Sequence, residues 1–317
     1  MKKPVSKIAI LGPLTKDRVV IHNRPEYISA GGAVFYCGEA LVKLGVDTTI
    51  FITIAEKDLW LTEQFSKKAV LKPIYKEETA YFENLYPRRN VDYRIQKAKL
   101  VYNPFLVKEL EKVNFNEYQY LILGSLQNSD FPLETITFLA KFKTKLCFAI
   151  QGFLRRIENE NVLLREFEQK ESFLRHAHLV LMNEMEAQAF MPDTSFEDIC
   201  RKTAKLGPEE VIITKGSKGS LIYLKKRDQF FSIPAFVTSN IKDATGAGDN
   251  YLAGYLLKRT ETDNIQEAGE FAAMTATLKL EREGAFNKSR TEVEQRLKIH
   301  RLLKAEELAK IKTLNIF

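Results

Sequence analysis

Short apolar segments alternate along the chain with segments of helical periodicity, and this alternation restricts the fold more than any other feature. The apolar segments are residues 7–11, 48–54, 120–124, 145–150, 178–182 and 210–216, and the helical spacings lie at residues 38–44, 133–142 and 184–190. The apolar segments are almost uninterrupted, as expected for strands that are buried on both faces. The pattern predicts an α/β protein with a mostly parallel sheet covered by helices.

The chain is long enough to bury a large core, with 317 residues of which 45% are hydrophobic. No internal repeat and no linker rich in Pro, Gly or Ser divides it, so we predict a single domain over residues 1–317. No apolar run approaches the roughly 18 residues of a membrane span, and the first residues lead into the first strand, with a signal peptide as the alternative. We therefore expect no membrane partner.

The cysteines and histidines suggest neither disulfides nor a metal centre. Cys37, Cys147 and Cys200 are odd in number and far apart, which fits a reducing, cytoplasmic location. His176 and His178 form the only closely spaced histidine pair, but they lead into the apolar run at 179–181. We therefore favour a structural role for these two histidines over a metal site.

The formal net charge of +7 includes a basic segment at the end of the chain. Residues 287–317 carry apolar side chains at helical spacing with charges between them, which predicts a terminal helix with a solvated face. Aromatic residues are not interleaved with the basic ones, as stacking platforms for bases would be. We therefore expect no nucleic-acid partner, although such a surface stays an alternative.

Two segments interrupt the α/β alternation. Residues 18–22 and 79–97 have an extended character, and the second segment predicts a hairpin that turns at residues 87–90 with Val91, Tyr93 and Ile95 on one face. A small separate β layer built from such pieces could close over a ligand. A surface hairpin without a function is the alternative.

Residues 241–258 carry the pattern that is richest in chemistry. Gly246, Ala247 and Gly248 have no bulky side chain, and Leu252 begins a helical apolar stripe directly after them. Backbone N–H groups at a helix N-terminus lack intrahelical partners and attract anions, above all phosphate. Asp249 beside such a cradle is either an N-terminal cap or a general base placed where a phosphoryl group arrives, and the second reading explains both features.

At its full length, the pattern D-x-T-G-A-G-D at residues 243–249 resembles the second signature of the PfkB-type, or ribokinase-like, carbohydrate kinases, and only Ala244 departs from it. The resemblance implies a ribokinase-like three-layer α/β/α fold with a small β lid, here formed by about residues 17–29 and 79–98. It also implies that Asp249 is the catalytic base and that the amides of 246–248 form the anion hole for the γ-phosphoryl of ATP.

Further segments match the family in the family's order. Residues 12–17 are similar to a first-strand motif whose aspartate, here Asp17, contacts substrate hydroxyls, and Gly31 and Gly32 begin a second motif on the substrate side. Asn183 and Glu186 match an N-x-x-E motif that tunes magnesium and phosphate binding, which implies a Mg²⁺ site with contact through water. The resemblance assigns these residues to the nucleotide side: Thr214, Lys215, Gly216, Gly219, Thr245 and Ala273.

Departures from the family pattern leave the acceptor open. Tyr36 stands where many sugar kinases of the family have an asparagine that binds the sugar, and Ala273 replaces an adenine-side asparagine. Gln151 and Arg155 follow a core strand at the end where α/β sheets bind ligands, and Glu83 and Asn84 could reach the acceptor from the lid. Together with the lid sequence, these residues resemble the branch of the family that includes inositol kinases.

The resulting hypothesis is ATP- and Mg²⁺-dependent phosphoryl transfer to a hydroxyl of a small polyol, sugar or related molecule. The alternatives are a nucleoside kinase of the same family and a catalytically silent nucleotide sensor, which would not need the base at Asp249. A dinucleotide-dependent oxidoreductase is disfavoured because Gly12 does not begin a G-x-G-x-x-G motif. Lid strands of this family often pair between subunits, so a homodimer through the lid is also compatible with the resemblance.

Overall fold

The computed structural model describes residues 7–86, 95–99 and 101–314. In chain order, the strands are β1 (Lys7–Pro13), β2 (Thr15–Ile21), β3 (Tyr27–Gly31), β4 (Asp47–Ala55), β5 (Val70–Lys76), β6 (Ala80–Tyr86), β7 (Ile95–Lys99), β8 (Tyr120–Leu123), β9 (Lys145–Ala149), β10 (Arg155–Glu158), β11 (Asn161–Leu164), β12 (Leu179–Asn183), β13 (Glu210–Thr214), β14 (Ser220–Leu224) and β15 (Gln229–Ile233). The helices are α1 (Ala33–Lys43), α2 (Val107–Leu110), α3 (Leu133–Leu139), α4 (Gln151–Leu154), α5 (Lys170–Leu174), α6 (Glu184–Phe190), α7 (Phe196–Leu206), α8 (Ala247–Glu261), α9 (Ile265–Leu280) and α10 (Arg290–Leu314).

The larger sheet has nine strands within the described ranges, in the order β15-β14-β13-β12-β9-β8-β1-β4-β5. Neighbouring strands from β13 to β5 are parallel, whereas β14 and β15 add an antiparallel edge. Each of the six apolar segments picked out in the sequence forms one of the parallel strands. The mostly parallel sheet is therefore confirmed, and the antiparallel edge is an addition that the sequence did not predict.

Two hydrophobic cores lie on opposite faces of this sheet. Along β1, Ile8 and Ile10 belong to the core that is shared with α1, α8 and α9, whereas Ala9 and Leu11 belong to the core that is shared with α3, α5 and α7. Successive side chains of a strand point to opposite faces, so this division places helices on both sides of the sheet. The result is the expected α/β/α arrangement in three layers.

The smaller sheet has six strands in the described part of the chain, in the order β10-β11-β7-β6-β2-β3. Both segments that were expected to form a β lid lie in it, although the turn at 87–90 and the predicted positions of Val91 and Tyr93 lie outside the described residues. β2 pairs with β6 in parallel, and β11 pairs with β7 through Asn161 and Lys97. β10 and β11 were not predicted from the sequence.

Within the described residues, no helix combines the length and the apolar character that a membrane crossing requires. The basic segment at the end of the chain forms α10, as its periodicity predicted. Both histidines of the closely spaced pair are partly exposed. Burial is the main cause that lowers the pKa of His178 to about 4, and Nε2 of His178 lies 3.9 Å from Oε1 of Glu210.

Candidate active site

A cleft of about 510 Å³ opens between the carboxyl ends of the parallel strands, the smaller sheet and the start of α8. The structure brings most of the predicted site residues to this one cleft. These residues are Asp17, Gly32, Tyr36, Gln151, Arg155, Asn183, Glu186, Thr214, Gly216, Thr245, Gly246, Ala247, Gly248 and Asp249. Residues from segments that are distant in the sequence therefore line the same cleft.

The start of α8 forms one wall of the cleft. Gly246 precedes the helix with φ of 76°, and no side chain caps the helix start. A Cβ atom at Gly246 would fall against the ring of Tyr36, whereas a Cβ atom at Gly248 would meet nothing within 4 Å. Open space therefore adjoins the backbone at Gly248, and the first amides of a helix have no intrahelical acceptor. The Ala247 N–H is an exception, because it donates to the carbonyl of Ala244 at 3.2 Å.

Asp249 lies in the first turn of α8 and lines the cleft while remaining partly exposed. Burial and, after it, the negative charge of Glu186 raise the pKa of Asp249 to about 7, and the charge of Arg155 acts in the opposite direction. Within the described part of the chain, Asp249 forms no ion pair with a lysine or arginine. A carboxyl group with a pKa near neutrality can take up and release a proton under physiological conditions.

A chain of hydrogen bonds holds Glu186 opposite Asp249. Glu186 is 4% exposed and accepts hydrogen bonds from Asn183 N at 2.9 Å, from Asn183 Nδ2 at 2.7 Å and from Gln151 Nε2 at 2.9 Å. Gln151 Oε1 in turn accepts from Arg155 Nη2 at 2.9 Å. Burial raises the pKa of Glu186, and these hydrogen bonds oppose that shift. Asn183 is the N-cap of α6 and forms a capping box with Glu186, so the two residues interact directly with each other.

The donor set of the cleft fits a magnesium ion that is held mainly by phosphate and water. The carboxyl groups of Glu186 and Asp249 both line this cleft, and burial disfavours the ionised form of each. Magnesium prefers oxygen ligands and usually retains several waters beside one or two carboxylates. Among the described residues, no group of three or more His, Cys, Asp or Glu side chains is arranged to hold a metal by itself.

The side of the cleft formed by the smaller sheet is polar. Asp17 is 6% exposed and accepts hydrogen bonds from the Thr15 hydroxyl at 2.5 Å and from Asn84 Nδ2 at 3.3 Å. Gln96 Nε2 extends this network by donating to Asn84 Oδ1 at 2.9 Å. Gly31 does not line the cleft, but a Cβ atom there would collide with the Asp17 carboxylate. The glycine is therefore needed for Asp17 to occupy this position.

A second cavity, of about 1160 Å³, adjoins the cleft and shares Tyr36 and Thr245 with it. It lies between β2, β3 and the loops at residues 240–243 and 281–288. The Tyr36 ring is 7% exposed and packs edge-on against Phe35 at a centroid distance of 5.4 Å. Tyr36 therefore packs in the core and also lines both the cleft and the second cavity.

Four predicted residues lie away from the cleft in addition to Gly31. Glu83 lies on the opposite side of β6 from Phe82, and its carboxylate is paired with Nη1 of Arg18 at 2.5 Å. Lys215, Gly219 and Ala273 do not line the cleft either, and Ala273 is only 7% exposed within α9. Gly219 has φ of 83°, and a Cβ atom there would collide with the Ile233 carbonyl, so its place in the turn has a structural explanation.

Several residues that line the cleft were not predicted as site residues. The polar ones are Thr15, Gln96 and Ser125. Ser125 follows β8 at its carboxyl end, and the rule that ligands bind at this edge of an α/β sheet could have identified it. Of the two lid residues that were expected to reach the acceptor, alternation along β6 favours Asn84, which shares a face with Phe82, over Glu83. Gln96 had no comparable signal, because its position depends on strand pairing in the smaller sheet.

Comparisons with known proteins agree with this geometry. The sequence profile described as pfkB family carbohydrate kinase matches residues 91–292, which is more than half of the chain. The nucleoside kinase of Methanocaldococcus jannaschii is 32% identical over 133 residues, which cover 41% of this chain and 42% of that protein. The ribokinase of Lactococcus lactis is 24% identical over 302 residues, which cover 89% of this chain and 93% of that protein. The match to the first of these relatives thus spans less than half of its length.

Solved structures show the same fold. A pyrophosphate-dependent kinase in the ribokinase family, determined as a sulfate complex, superposes with a TM-score of 0.78 at 23% identity and covers 90% of this chain and 99% of that one. Ribokinase from Thermotoga maritima gives a TM-score of 0.71 at 22% identity, with 92% and 99% covered. From the profile match and this fold, the chain belongs to the pfkB family of carbohydrate kinases.

Proposed function

We propose that this protein transfers the γ-phosphoryl group of ATP to a hydroxyl group of a small polyhydroxylated molecule and that Asp249 is the general base. Asp249 takes the proton from the acceptor hydroxyl while the hydroxyl oxygen forms a bond to phosphorus and the bond to the ADP oxygen breaks. The proposal rests mainly on one observation: the Asp249 carboxyl lines the cleft in the first turn of a helix whose start has no side-chain cap. The raised pKa of Asp249 supports it.

The helix start supplies the electrostatic part of the proposal. Amides of Gly248 and Asp249 stand in the first turn of α8, where the positive end of the helix dipole favours an anion. The open space at Gly248 lets a phosphoryl group approach the backbone. Fixed donors aimed at a transferring group stabilise the charge that it carries in the transition state. Mg²⁺, when bound, would neutralise negative charge on the phosphates of ATP, and Glu186 and Asn183 would hold its water ligands.

The opposite side of the cleft supports a polyol or sugar as acceptor. The carboxylate of Asp17 and the amides of Asn84 and Gln96 form one connected network on the smaller sheet. Such groups match the alternating donors and acceptors of vicinal hydroxyls. We further propose that the smaller sheet is a lid that covers the acceptor and excludes water, because Asp17, Phe82 and Gln96 reach the cleft from it. A homodimer through this lid stays a prediction.

A nucleoside acceptor is the second candidate, and the adjoining cavity favours it. That cavity has about 1160 Å³ and begins at Tyr36 and Thr245, so a base could occupy it while the ribose stays near Asp249. The aromatic ring of Tyr36 is a suitable neighbour for a base. The nucleoside kinase of Methanocaldococcus jannaschii among the relatives points in the same direction.

The decisive experiment is an acceptor panel with ATP and Mg²⁺. Polyols, inositols, pentoses, hexoses and nucleosides are compared by the release of ADP and by the phosphorylated product. With the best acceptor, Asp249→Asn is expected to lower kcat by about 10²- to 10⁴-fold, the usual contribution of a general base. The control variant Glu39→Gln changes a buried carboxyl outside the cleft, on α1, and should keep kcat. A wild-type protein that binds ATP but phosphorylates none of these compounds would support the silent sensor instead.

A further inference from the structure

Lys279 carries a buried ammonium group for which the proposed reaction has no direct use. Its side chain is 0% exposed within α9. The ammonium group donates to three oxygens: the Asp243 carbonyl at 3.2 Å, Asp243 Oδ2 at 3.1 Å and the Arg282 carbonyl at 3.1 Å. An ammonium group has three donors, so all of its donors have acceptors. The cation is thus enclosed by oxygens of two different loops.

Asp243 connects this cation to the start of α8. Its Oδ1 accepts a hydrogen bond from the Thr245 N–H at 2.8 Å, and its Oδ2 also accepts from the Gly284 N–H at 3.3 Å. The backbone N–H of Lys242 donates to the carbonyl of Leu280 at 2.7 Å, which fixes the same loop to the end of α9. The loop then leads directly into Gly246. Lys279 therefore lies at the centre of the contacts that fix the turn in front of the proposed anion hole.

The energetic cost of burying the Lys279 ammonium group suggests that its role is to position its neighbours rather than to add stability. Burial lowers the pKa of Lys279, whereas the charge of Asp243 and its hydrogen bond raise it. A buried ion pair is often no more stabilising than a well-packed apolar pair, but removal of one partner leaves an uncompensated charge. Lys279 ends an otherwise apolar stretch of α9 where methionine would fit the helix equally well. The ammonium group differs from an apolar side chain because its three hydrogen bonds fix the positions of the three acceptor oxygens.

We propose that Lys279 is a positioning residue for phosphoryl transfer: its ammonium group serves as an internal cation that holds the loop at 243–246 so that the α8 amides face the cleft. This proposal rests on the proposed function. It also implies that added ammonium or potassium does not raise wild-type turnover through this place, because the three oxygens already accept from the Lys279 ammonium group.

The test replaces the lysine by a smaller side chain and returns a cation from solution. Lys279→Ala leaves the three oxygens around a space that ammonium or potassium can enter. With choline chloride as the only salt, kcat of this variant should fall by about 10²-fold, the effect of a misplaced catalytic group, while the acceptor KM changes little. Ammonium chloride at equal ionic strength should restore kcat and raise the Tm of the variant, and Lys279→Met should not respond because its side chain fills the space.

The matched control is Lys258→Ala. Lys258 is also buried, and its ammonium group lies 3.3 Å from both Glu261 and Glu294, remote from the cleft. Its loss should lower Tm without an ammonium-specific change in kcat. The proposal is overturned if Lys279→Ala keeps wild-type kcat in choline chloride, or if ammonium changes neither its kcat nor its Tm. A wild-type protein that phosphorylates no acceptor refutes the proposed function instead, and the Tm response of Lys279→Ala to ammonium then still decides whether the Lys279 ammonium group holds the loop at 243–246.

Discussion

Asp249→Asn should stabilise the folded protein at the same time as it abolishes most of its turnover. The pKa of Asp249 rises from an ordinary value of 3.8 to about 7, mainly through burial. Folding therefore disfavours the ionised carboxylate, and each pKa unit corresponds to about 1.4 kcal/mol. The difference of about 3 units gives about 4 kcal/mol of destabilisation at pH 8, which a neutral asparagine of the same shape would remove.

The sign of the pH dependence makes this prediction specific. Between pH 3.8 and about 7, the folded state binds more protons at Asp249 than the unfolded state does, so this group lowers the free energy of unfolding as pH rises. The advantage of Asp249→Asn should be small near pH 4, about 2 kcal/mol at pH 5 and about 4 kcal/mol at pH 8. For a chain of this length, the last value corresponds to a rise in Tm of about 6 °C.

Urea denaturation of wild type and variant at several pH values between 5 and 8 measures the difference, and an acceptor assay on the same preparations measures kcat. Glu39→Gln controls for the exchange of a buried carboxyl for an amide. The reasoning is refuted if Asp249→Asn is less stable than wild type at pH 8, or if its advantage is the same at pH 5 and pH 8. Either result would mean that the carboxylate is stabilised by partners in the folded state.

Three further changes probe the remaining groups of the cleft. Gly248→Ala should fold normally, because its Cβ atom meets nothing within 4 Å, yet lower kcat by about 10²-fold in the transfer assay because the methyl group occupies the space for the phosphoryl group. Glu186→Gln should move the acidic limb of the kcat/KM profile to lower pH and Arg155→Gln should move it to higher pH, since these groups shift the pKa of Asp249 in opposite directions; shifts of equal sign would contradict the assignment. Asp17→Asn should lower kcat/KM for the acceptor by about 10- to 100-fold without a change in the Kd for ATP, as measured by calorimetry. Weaker binding of ATP would contradict the assignment of Asp17 to the acceptor side of the cleft.

Local sequence information predicted the large sheet well because each parallel strand is an uninterrupted apolar segment. The strands at 7–13, 47–55 and 179–183 are buried on both faces, and few other structures explain such segments. The smaller sheet was only partly predictable. β11 pairs with β7 through residues that are 64 positions apart, Asn161 and Lys97, and no pattern near either strand specifies that partner. The polar sequence of β10 gave no signal of burial on one face.

The candidate site shows the same division. Asp249 and the glycines before it form a contiguous motif, so their joint position at a helix start followed from the sequence alone. Glu83 and Asn84 were both expected to reach the acceptor, but strand alternation turns Asn84 toward Asp17, whereas the Glu83 carboxylate pairs with Arg18. Lys279 was not identified, because a lysine near the end of a helix is usually solvated and only the tertiary structure encloses it.

Charged groups surround the start of α8. Asp249 stands in the helix itself, Arg155 lies across the cleft and Lys279 lies behind the preceding loop, and burial opposes the charge of both Asp249 and Lys279. Buried charges also lie elsewhere, but Glu210 and Arg259, for example, pair with each other at 2.8 Å. Among the described residues, no lysine or arginine forms such an ion pair with Asp249, and a sequence tends to depart from this kind of consistency where function requires it. A carboxyl group whose ionised form is disfavoured by burial at a helix start is therefore a physical argument for placing the chemistry there, beyond the likeness of the motif itself.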